Sequence, residues 1–480
     1  MGKLKLISSV FAAVGMTAAA LANAAPEFTE QSEQFVTIQQ DEFVLENVRL
    51  VDGTGAPALE QQCVFVQMGK IAAVGPSGSC GASAETEVMD LAGKTVLPGF
   101  VMLHEHMFYN ASDPDWFIQS TQPVVFPRLY LAGGVTTART AGSFEPYTDL
   151  KVKQYIGAGR LVGPNFDTTA PFLEGYPAQF LQAPEIETEA EAVQFVNYWA
   201  GQGMTSFKAY MNIKRSVLKA AIDAAHAEGL KVAGHLCSVT YAEASDMGID
   251  NLEHGFMIAT DFVKDRQPDT CGGFPLARFM ELELESAEVQ ALMDKLVENG
   301  TAITSTLAVL ARISATENPP NPAAVEALGH GAKAHYLGNH ARGYANALSN
   351  DIWARAVRKE MAWEKAFYDK GGLLVTGSDT TGIGGTVAGF ANHELLKLLV
   401  EAGFTPLEAI KISTMNGAIS MERQNEIGSI AVGKNADLII IDGQPDMDIS
   451  DITRVVTVFK DGVGYDSQAL IAASKGRVEN

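Results

Sequence analysis

The chain has 480 residues, of which 47% are hydrophobic and 19% charged, an ordinary composition for a folded protein of more than one domain. Its formal net charge is -22, and the acidic residues are spread along the chain rather than grouped in blocks. This charge argues against nucleic acid or an anionic membrane surface as the main partner, so we expect neither.

The first 24 residues have the features of a secretory signal peptide. Lys3 and Lys5 precede an apolar, alanine-rich stretch from 6 to 21, and residues 22–24 (Ala-Asn-Ala) fit a cleavage site for small residues. The stretch is short for a membrane-spanning helix, and nothing like it recurs in the sequence. We therefore expect an exported protein, periplasmic or secreted, without a membrane anchor.

Short alternating apolar runs at both ends of the mature chain predict β structure. Residues 36–95 contain such runs separated by turn residues such as Asp52-Gly53, and residues 425–480 repeat the pattern. We predict that 36–95 and 425–480 build one composite β-sandwich domain, with 96–424 inserted between them. Cys63 and Cys80 flank one predicted hairpin, and the sequence leaves open whether they pair.

Between residues 96 and 424, apolar strands alternate with amphipathic helices, which predicts a parallel sheet. The eight strand candidates are Val96–His106, Val135–Thr140, Leu161–Thr168, Thr205–Tyr210, Lys231–Cys237, Asp250–Gly255, Ala302–Leu307 and Leu373–Asp379. The fold class is therefore predicted as α/β, a (β/α)8 TIM barrel. A helical insertion is expected at about 308–370; its His330, His335 and His340 follow no strand, so surface or core roles are expected for them.

Six residues of metal-ligand or base type stand at the carboxyl ends of these predicted strands. His104 and His106 lie two positions apart, so in a strand both side chains leave the same face. The others end strands four, five, six and eight: Lys208, His235, His254 and Asp379. Carboxyl ends of barrel strands meet at one face, which predicts a metal site there. Cys237 has no metal-binding spacing and is read as a packed residue rather than a metal thiolate.

Several segments resemble the amidohydrolase superfamily of metal-dependent hydrolases. They are Val96-Leu-Pro-Gly-Phe-Val-Met-Leu-His-Glu-His106, Gly134-Val-Thr-Thr-Ala-Arg139, and Gly428-Ser-Ile-Ala-Val-Gly-Lys-Asn-Ala-Asp-Leu438. Within the superfamily the chain looks most like the imidazolonepropionase-related branch. That branch includes Xaa-Pro dipeptidases and amidases that act on ochratoxin-like amides.

The resemblance implies a role for each of the six residues. His104, His106 and Asp379 would bind the more buried of two divalent metal ions, and His235 and His254 the second. Lys208 would be carboxylated (N6-carboxylysine) and bridge both ions. Imidazole-rich sites favour zinc, which is the expected metal. Water activated by the metals would attack a carbonyl, with Asp379 as the proton shuttle; Asp379 and Lys208 are thus the predicted catalytic residues.

Substrate contacts are less well defined by the sequence. Tyr210 shares a strand face with Lys208 and is a candidate for binding a substrate carbonyl or carboxylate, or a packed aromatic. Arg139 is a candidate for a substrate carboxylate, although a structural ion pair is favoured. His393 is read as a helix cap or surface residue. Relatives commonly have Asp where this chain has Thr140, and a His near strand three where 168–176 has none, so no substrate preference is inherited.

The favoured function is hydrolysis of a linear amide or peptide bond in a small substrate, such as a dipeptide or an N-acyl amino acid. An alternative is a cyclic amide or imidazolone hydrolase or a deaminase, and a further one is a non-catalytic binding protein on the same fold. A bridging Lys208 argues for two metals and against the one-metal deaminases. A homo-oligomer is compatible with the sequence.

Overall fold

The structure is a computed structural model that describes residues 26–81, 83, 85–110, 119–314, 320–381 and 385–479. The predicted signal peptide lies outside the described residues. Among the helices that are described, none is both long and apolar enough to span a bilayer.

Strands occur along the whole described chain, and helices concentrate in its middle. The strands are β1 Val36–Ile38, β2 Glu42–Leu50, β3 Leu59–Gln67, β4 Lys70–Pro76, β5 Glu87–Asp90, β6 Thr95–Pro98, β7 Phe100–Glu105, β8 Phe108–Asn110, β9 Gln119–Thr121, β10 Val135–Thr140, β11 Asn165–Asp167, β12 Ser206–Ala209, β13 Lys231–Gly234, β14 Asn251–Glu253, β15 Ala302–Ser305, β16 Leu374–Thr376, β17 Leu438–Ile441, β18 Val455–Lys460 and β19 Val463–Asp466. The α-helices are α1 Glu30–Glu33, α2 Val125–Ala132, α3 Pro146–Gly157, α4 Glu189–Gln202, α5 Arg215–Ala227, α6 Tyr241–Asp246, α7 Leu276–Glu281, α8 Ala287–Asn299, α9 Leu307–Ser314, α10 Pro322–Ala327, α11 His330–Ser349, α12 Ile352–Asp369, α13 Phe390–Glu401, α14 Pro406–Lys411, α15 Gly417–Ser420 and α16 Ser467–Ala472.

Eight strands from the middle of the chain form two parallel sheets. One has the order β11-β10-β7 and the other runs β12-β13-β14-β15-β16 in chain order. Backbone hydrogen bonds also connect the sheets, from Ala170 N to Ser206 O (3.0 Å) and from Asp379 N to His104 O (3.0 Å). The mixed α/β architecture is therefore as expected, and closure of the eight strands into a barrel stays a prediction.

The first predicted strand is two strands in the structure. β6 joins a sheet with β17 and β2, whereas β7 pairs in parallel with β10. The break falls at Pro98-Gly99, because proline has no amide hydrogen to donate and Gly99 packs so closely on Thr136 that a Cβ there would clash with its side chain. The expectation of one continuous strand from 96 to 106 was wrong at this point.

Both ends of the chain contribute to one nine-stranded sheet. Its order is β1-β19-β18-β17-β6-β2-β3-β4, and β5 pairs with β2. Alternate residues of these strands, such as Phe43, Val64 and Leu438, pack together in a common core. The composite origin of this sheet agrees with the sequence pattern, whereas its two-layer sandwich form and the domain boundaries stay predictions.

All four cysteines are disulfide-bonded, Cys63 with Cys80 and Cys237 with Cys271. The first bond answers the question that the sequence left open. The second joins Cys237, which was predicted to be a packed residue and is buried, to Cys271. Cys271 lies in a segment without regular structure, so no pairing pattern pointed to this bond. Helices α9 to α12 occupy the described part of the predicted insertion.

Candidate metal centre

The structure brings all six predicted ligands together in one cluster. His104 lies on β7 and Lys208 on β12, and the other four follow β7, β13, β14 and β16 within three residues: His106, His235, His254 and Asp379. His104, His106, Lys208 and His254 are buried, and His235 and Asp379 are half-buried. The cluster is therefore closed on the strand side and open near His235 and Asp379.

Three donors converge closely enough to share one ion. Asp379 Oδ1 lies 3.1 Å from His106 Nε2 and 3.5 Å from His104 Nε2. The donor atoms of these three residues all lie within 4.8 Å of one another. Two imidazoles and a carboxylate are a suitable set of donors for zinc.

The remaining three predicted ligands lie beside this set. The His254 ring is 4.5 Å from the His235 ring and 4.7 Å from the His104 ring, measured between centroids. The Nε2 atoms of His235 and His254 are buried and have no hydrogen-bond partner among the described residues. Since buried nitrogens are normally satisfied, two unsatisfied imidazole nitrogens side by side fit a second ion.

Unusual backbone conformations turn two of the ligands towards the cluster. His254 has φ +68° and Asp379 has φ +50°, in the left-handed region that non-glycine residues seldom adopt. Such conformations persist where the surrounding structure enforces them, which is common at functional sites. Here the Asp379 amide donates to His104 O, which fixes the loop after β16 against β7.

Glu253 is a member of the cluster that the sequence reasoning missed. Its side chain is fully buried; Oε2 lies 2.6 Å from His104 Nδ1 and Oε1 lies 3.1 Å from Lys208 Nζ. Strand alternation places neighbouring residues on opposite faces, so a ligand at His254 argues against a role for Glu253. The left-handed φ of His254 breaks that alternation and brings both side chains to the same site.

Glu253 fixes the orientation of the His104 ring. By engaging Nδ1, its carboxylate leaves Nε2 to face Asp379, as carboxylate–histidine–metal arrangements require. We expect Glu253→Gln to weaken metal affinity about 10–100-fold, the usual effect of losing such a partner. Competition with a chromogenic chelator measures the metal affinity. The control is Glu243→Gln, because Glu243 is a partly buried glutamate that pairs with Arg266. Unchanged affinity in Glu253→Gln would refute this role.

Glu105, the middle residue of the His-Glu-His segment, anchors the loop that carries Asp379. It is fully buried, and its carboxylate accepts hydrogen bonds from Ser378 N (3.0 Å), Ser378 Oγ (2.5 Å) and Asn392 Nδ2 (2.7 Å). Burial raises the pKa of Glu105 to about 7. Alternation along β7 puts Glu105 on the face opposite the two histidines, where it binds Ser378 and Asn392 rather than the metal site.

The electrostatics favour the ligating protonation states at most of the predicted ligands. At His104, burial would lower the pKa, but the charges of Glu253 and Asp379 outweigh it and raise this pKa. Burial lowers the pKa of His235 to about 3 and that of His106 to about 4, so both imidazoles are neutral at neutral pH. Burial would raise the pKa of Asp379, but His104 and His106 outweigh it and hold this pKa well below its usual range. Burial lowers the pKa of Lys208, and this effect exceeds that of the Glu253 charge, which raises it. The net shift favours the neutral amine. Neutral imidazoles and ionised carboxylates are the ligating forms.

The predicted substrate-contact residues have different surroundings. Tyr210 is half-buried, and its ring centroid lies 4.8 Å from that of His235, so it borders the cluster. Arg139 is buried, and its Nε donates to Asp167 Oδ2 at 2.7 Å, which is the structural ion pair favoured by the sequence. A substrate contact by either residue stays a prediction.

The other histidines play no part in the cluster. His393 lies in the first turn of α13, but it is buried, and its Nε2 lies 2.7 Å from Gly133 O, so the surface reading was wrong. His335 contacts Asn339 within α11. Among the described residues, the metal-like group of donors contains neither these histidines nor His330 and His340.

Two buried glutamates of α12 lie behind the loop after β14. Glu360 Oε1 accepts a hydrogen bond from Phe256 N (2.7 Å) and packs so closely on Gly255, with φ +66°, that a Cβ there would collide with it. Burial raises the pKa of Glu360, and burial together with the Glu360 charge raises that of Glu364 well above its usual value. The pair therefore retains protons near neutral pH.

We expect Glu364→Gln to stabilise the protein at alkaline pH. A carboxyl group whose pKa is raised in the folded state contributes stability that is complete below its pKa in the unfolded state and is lost as pH rises through its pKa in the folded state. Glutamine carries no titrating proton, so it does not lose this contribution. The free energy of unfolding should increase by about 1–3 kcal/mol near pH 8 and change little near pH 5, measured by urea denaturation. Glu228→Gln, at an exposed position after α5, is the control. An equal change at both pH values would contradict the expectation.

The fold and the donor cluster together define an α/β protein with a candidate metal centre. A family model for the amidohydrolase family matches residues 95–464. The chain therefore belongs to the amidohydrolase family, as the resemblance of its sequence motifs predicted, and it is a hydrolase that acts on carbon–nitrogen bonds.

Relatives and solved structures agree with this assignment. Imidazolonepropionase from Geobacillus sp. (strain WCH70) is 24% identical over 408 residues, 80% of this chain and 84% of the relative. N-substituted formamide deformylase from Arthrobacter pascens is 44% identical over only 80 residues, 16% of this chain and 14% of its own length. A Xaa-Pro dipeptidase with bound methionine matches with TM-score 0.67 and 20% identity over 88% of this chain and 100% of that chain. A. niger ochratoxinase matches with TM-score 0.64 and 16% identity over 89% and 96%. At these identities the two structures are similar in fold.

Proposed function

We propose that this protein is an exported, binuclear metal-dependent amidohydrolase that opens a linear amide or peptide bond of a small substrate. The substrate class is a dipeptide or an N-acyl amino acid, including ochratoxin-like amides. The observation that carries the proposal is the convergence of two sets of donors on one open site. His104, His106 and Asp379 make one set, and Lys208, His235 and His254 make the other.

The donor sets fit two divalent ions, with zinc as the expected metal. Unsatisfied, buried Nε2 atoms on His235 and His254 and a pKa-lowered Lys208 support a second ion and a carboxylated lysine that bridges the pair. Conversion of the Lys208 amine into an anionic carbamate would remove a cation and supply two oxygen donors. Closure of the eight parallel strands into a (β/α)8 barrel is part of the proposal, since it places all six residues at one face.

In the proposed reaction, Asp379 and Tyr210 have separate roles beside the metal ions. When bound, the metal ions lower the pKa of water and polarise the scissile carbonyl. Asp379, half-buried on the open side, accepts the proton of the attacking water and delivers it to the leaving amine, which departs poorly without it. The Tyr210 hydroxyl hydrogen-bonds a substrate carbonyl or carboxylate in this proposal, which is supported by the 4.8 Å between the Tyr210 and His235 ring centroids.

Export is supported by the N-terminal sequence and by the two disulfides, since structural disulfides persist in oxidising compartments. A periplasmic or secreted location is therefore proposed. Fractionation of the native host and the mass of the mature N-terminus test it.

A second candidate, hydrolysis of a cyclic amide or imidazolone, is favoured by the similarity to imidazolonepropionase over most of the chain. The two candidates are separated by a hydrolysis screen of the zinc-loaded enzyme with dipeptides, N-acyl amino acids and cyclic imides, combined with metal analysis. Two equivalents of metal and activity on linear amides support the proposal. Activity confined to cyclic substrates, or a protein that binds no metal, would overturn it.

A further inference from the structure

A continuous wall of aromatic rings borders the metal centre. We define the aromatic wall as Phe108, Phe144, Phe172, Phe180, Tyr210 and Phe274. Successive ring centroids are 4.4 Å apart for His106–Phe108, 4.7 Å for Phe108–Phe144, 5.0 Å for Phe144–Phe172, 5.0 Å for Phe172–Tyr210, 5.3 Å for Phe180–Tyr210, 4.8 Å for Tyr210–His235 and 5.6 Å for His235–Phe274. The wall thus runs from a ligand of one donor set to a ligand of the other.

The six rings come from different segments that follow parallel strands. Phe108 follows β7, Phe144 follows β10, Phe172 and Phe180 follow β11, and Tyr210 follows β12, while Phe274 lies between β14 and α7. Loops at this end of parallel strands are where substrate specificity is encoded in such folds. The wall is therefore built from the parts of the chain that face a substrate.

Exposure increases along the wall towards the open side of the centre. Phe108, Phe144 and Phe172 are buried, whereas Phe180 and Tyr210 are half-buried and Phe274 is 42% exposed. Tyr210 and Phe274 contact His235, one of the two half-buried donors, and Phe180 contacts Tyr210. Aromatic side chains next to a few polar groups are the usual lining of small-molecule sites, so these partly exposed rings are a candidate binding surface.

We propose that the aromatic wall is the subsite for a flat aromatic group of the substrate, held beside His235 on Phe180, Tyr210 and Phe274. This assignment rests on the proposed function and narrows it to amides that carry an aromatic side chain or acyl group. Five of the six rings are phenylalanines, so selection is by shape and ring stacking. A pair of stacked aromatic rings contributes about 0.5–1.5 kcal/mol beyond area burial, and two such contacts give a preference of about tenfold or more.

The test compares matched substrates with the zinc-loaded enzyme. Gly-Phe, Gly-cyclohexylalanine and Gly-Ala vary the amine side, and Phe-Gly and Ala-Gly vary the acyl side. We expect kcat/KM to be at least about tenfold higher for phenylalanine than for alanine on one side of the bond, with cyclohexylalanine in between. Equal kcat/KM for phenylalanine and alanine on both sides, with activity present, overturns the subsite and leaves the proposed function standing.

Variants of the wall locate the preference. Phe274→Ala, at an exposed position that folding tolerates, and Phe180→Ala should each reduce the preference for phenylalanine over alanine by about fivefold, through KM rather than kcat. Tyr147→Ala removes an exposed ring of α3 that packs on Trp199, and it should leave the preference unchanged. If the preference for phenylalanine over alanine is unchanged in both wall variants, the assignment is overturned. General damage to the fold lowers kcat/KM equally for all substrates, so it does not change this preference.

If none of these dipeptides is hydrolysed, their binding to the enzyme is measured instead. Isothermal titration of the same dipeptides then separates the two proposals. Tighter binding of the phenylalanine compounds, weakened in Phe180→Ala and Phe274→Ala, supports the subsite although the proposed function has failed. Equal binding of phenylalanine and alanine compounds overturns both.

Discussion

Replacing Lys208 with alanine is expected to remove at least one of the two proposed metal ions and to lower kcat/KM by about 10³-fold. Lys208 is fully buried, its pKa is lowered by burial, and its Nζ lies 3.1 Å from Glu253 Oε1. Alanine removes the proposed bridge and also the side chain that lies against the buried Glu253 carboxylate. Metal activation is worth several kcal/mol, and about 1.4 kcal/mol corresponds to tenfold in rate.

Metal content by mass spectrometry and hydrolysis rates measure this effect together. Lys208→Glu is the matched variant, because it keeps an anionic side chain where the carbamate is proposed, and it should retain more metal than Lys208→Ala. Lys214→Ala, a half-exposed lysine that pairs with Glu187, should behave like the wild type. Full metal content and full activity in Lys208→Ala would show that the bridging role is wrong. Intact native mass shows directly whether one carbon dioxide is attached.

The positions of the six residues could be predicted because they stand at the ends of five apolar runs, with His104 and His106 sharing the first. Parallel strands align their carboxyl ends, so residues as distant as His104 and Asp379 meet at one edge, and the structure places them 3.5 Å apart. Strand limits were less predictable. β13 ends at Gly234, before His235, whereas the predicted strand continued to Cys237.

Features set by tertiary contacts escaped the sequence reasoning. The division of the first strand depends on the packing of Gly99 against Thr136, and Glu253 enters the cluster through the left-handed φ of His254. Neither property follows from a periodicity of two. The Cys237–Cys271 bond joins residues 34 positions apart in segments without a recognisable pairing pattern. Close approach, positive φ and long-range pairing are properties of the folded chain.

Asp379→Asn is expected to lower kcat by about 10³-fold for ordinary amides, because it removes the proposed proton carrier as well as a charged ligand. Asp379 lies within 3.7 Å of three imidazoles, and their influence holds its pKa well below its usual range although burial opposes this. The carboxylate is therefore ionised at neutral pH, which is the form that a proton acceptor needs. Asparagine has nearly the same shape and can still offer an oxygen to a metal ion, but it cannot carry the proton.

The leaving group separates the two functions of Asp379. An alkylamine must be protonated to depart, whereas a nitroaniline departs readily without it, so the loss in Asp379→Asn should be much smaller for a nitroanilide than for the matched alkylamide. Metal content is measured in the same samples, and Asp369→Asn, an exposed carboxylate at the end of α12, is the control. If both substrates lose activity equally and metal is lost in parallel, Asp379 acts as a ligand alone. If the losses differ while metal is retained, the same side chain that holds the ion also moves the proton.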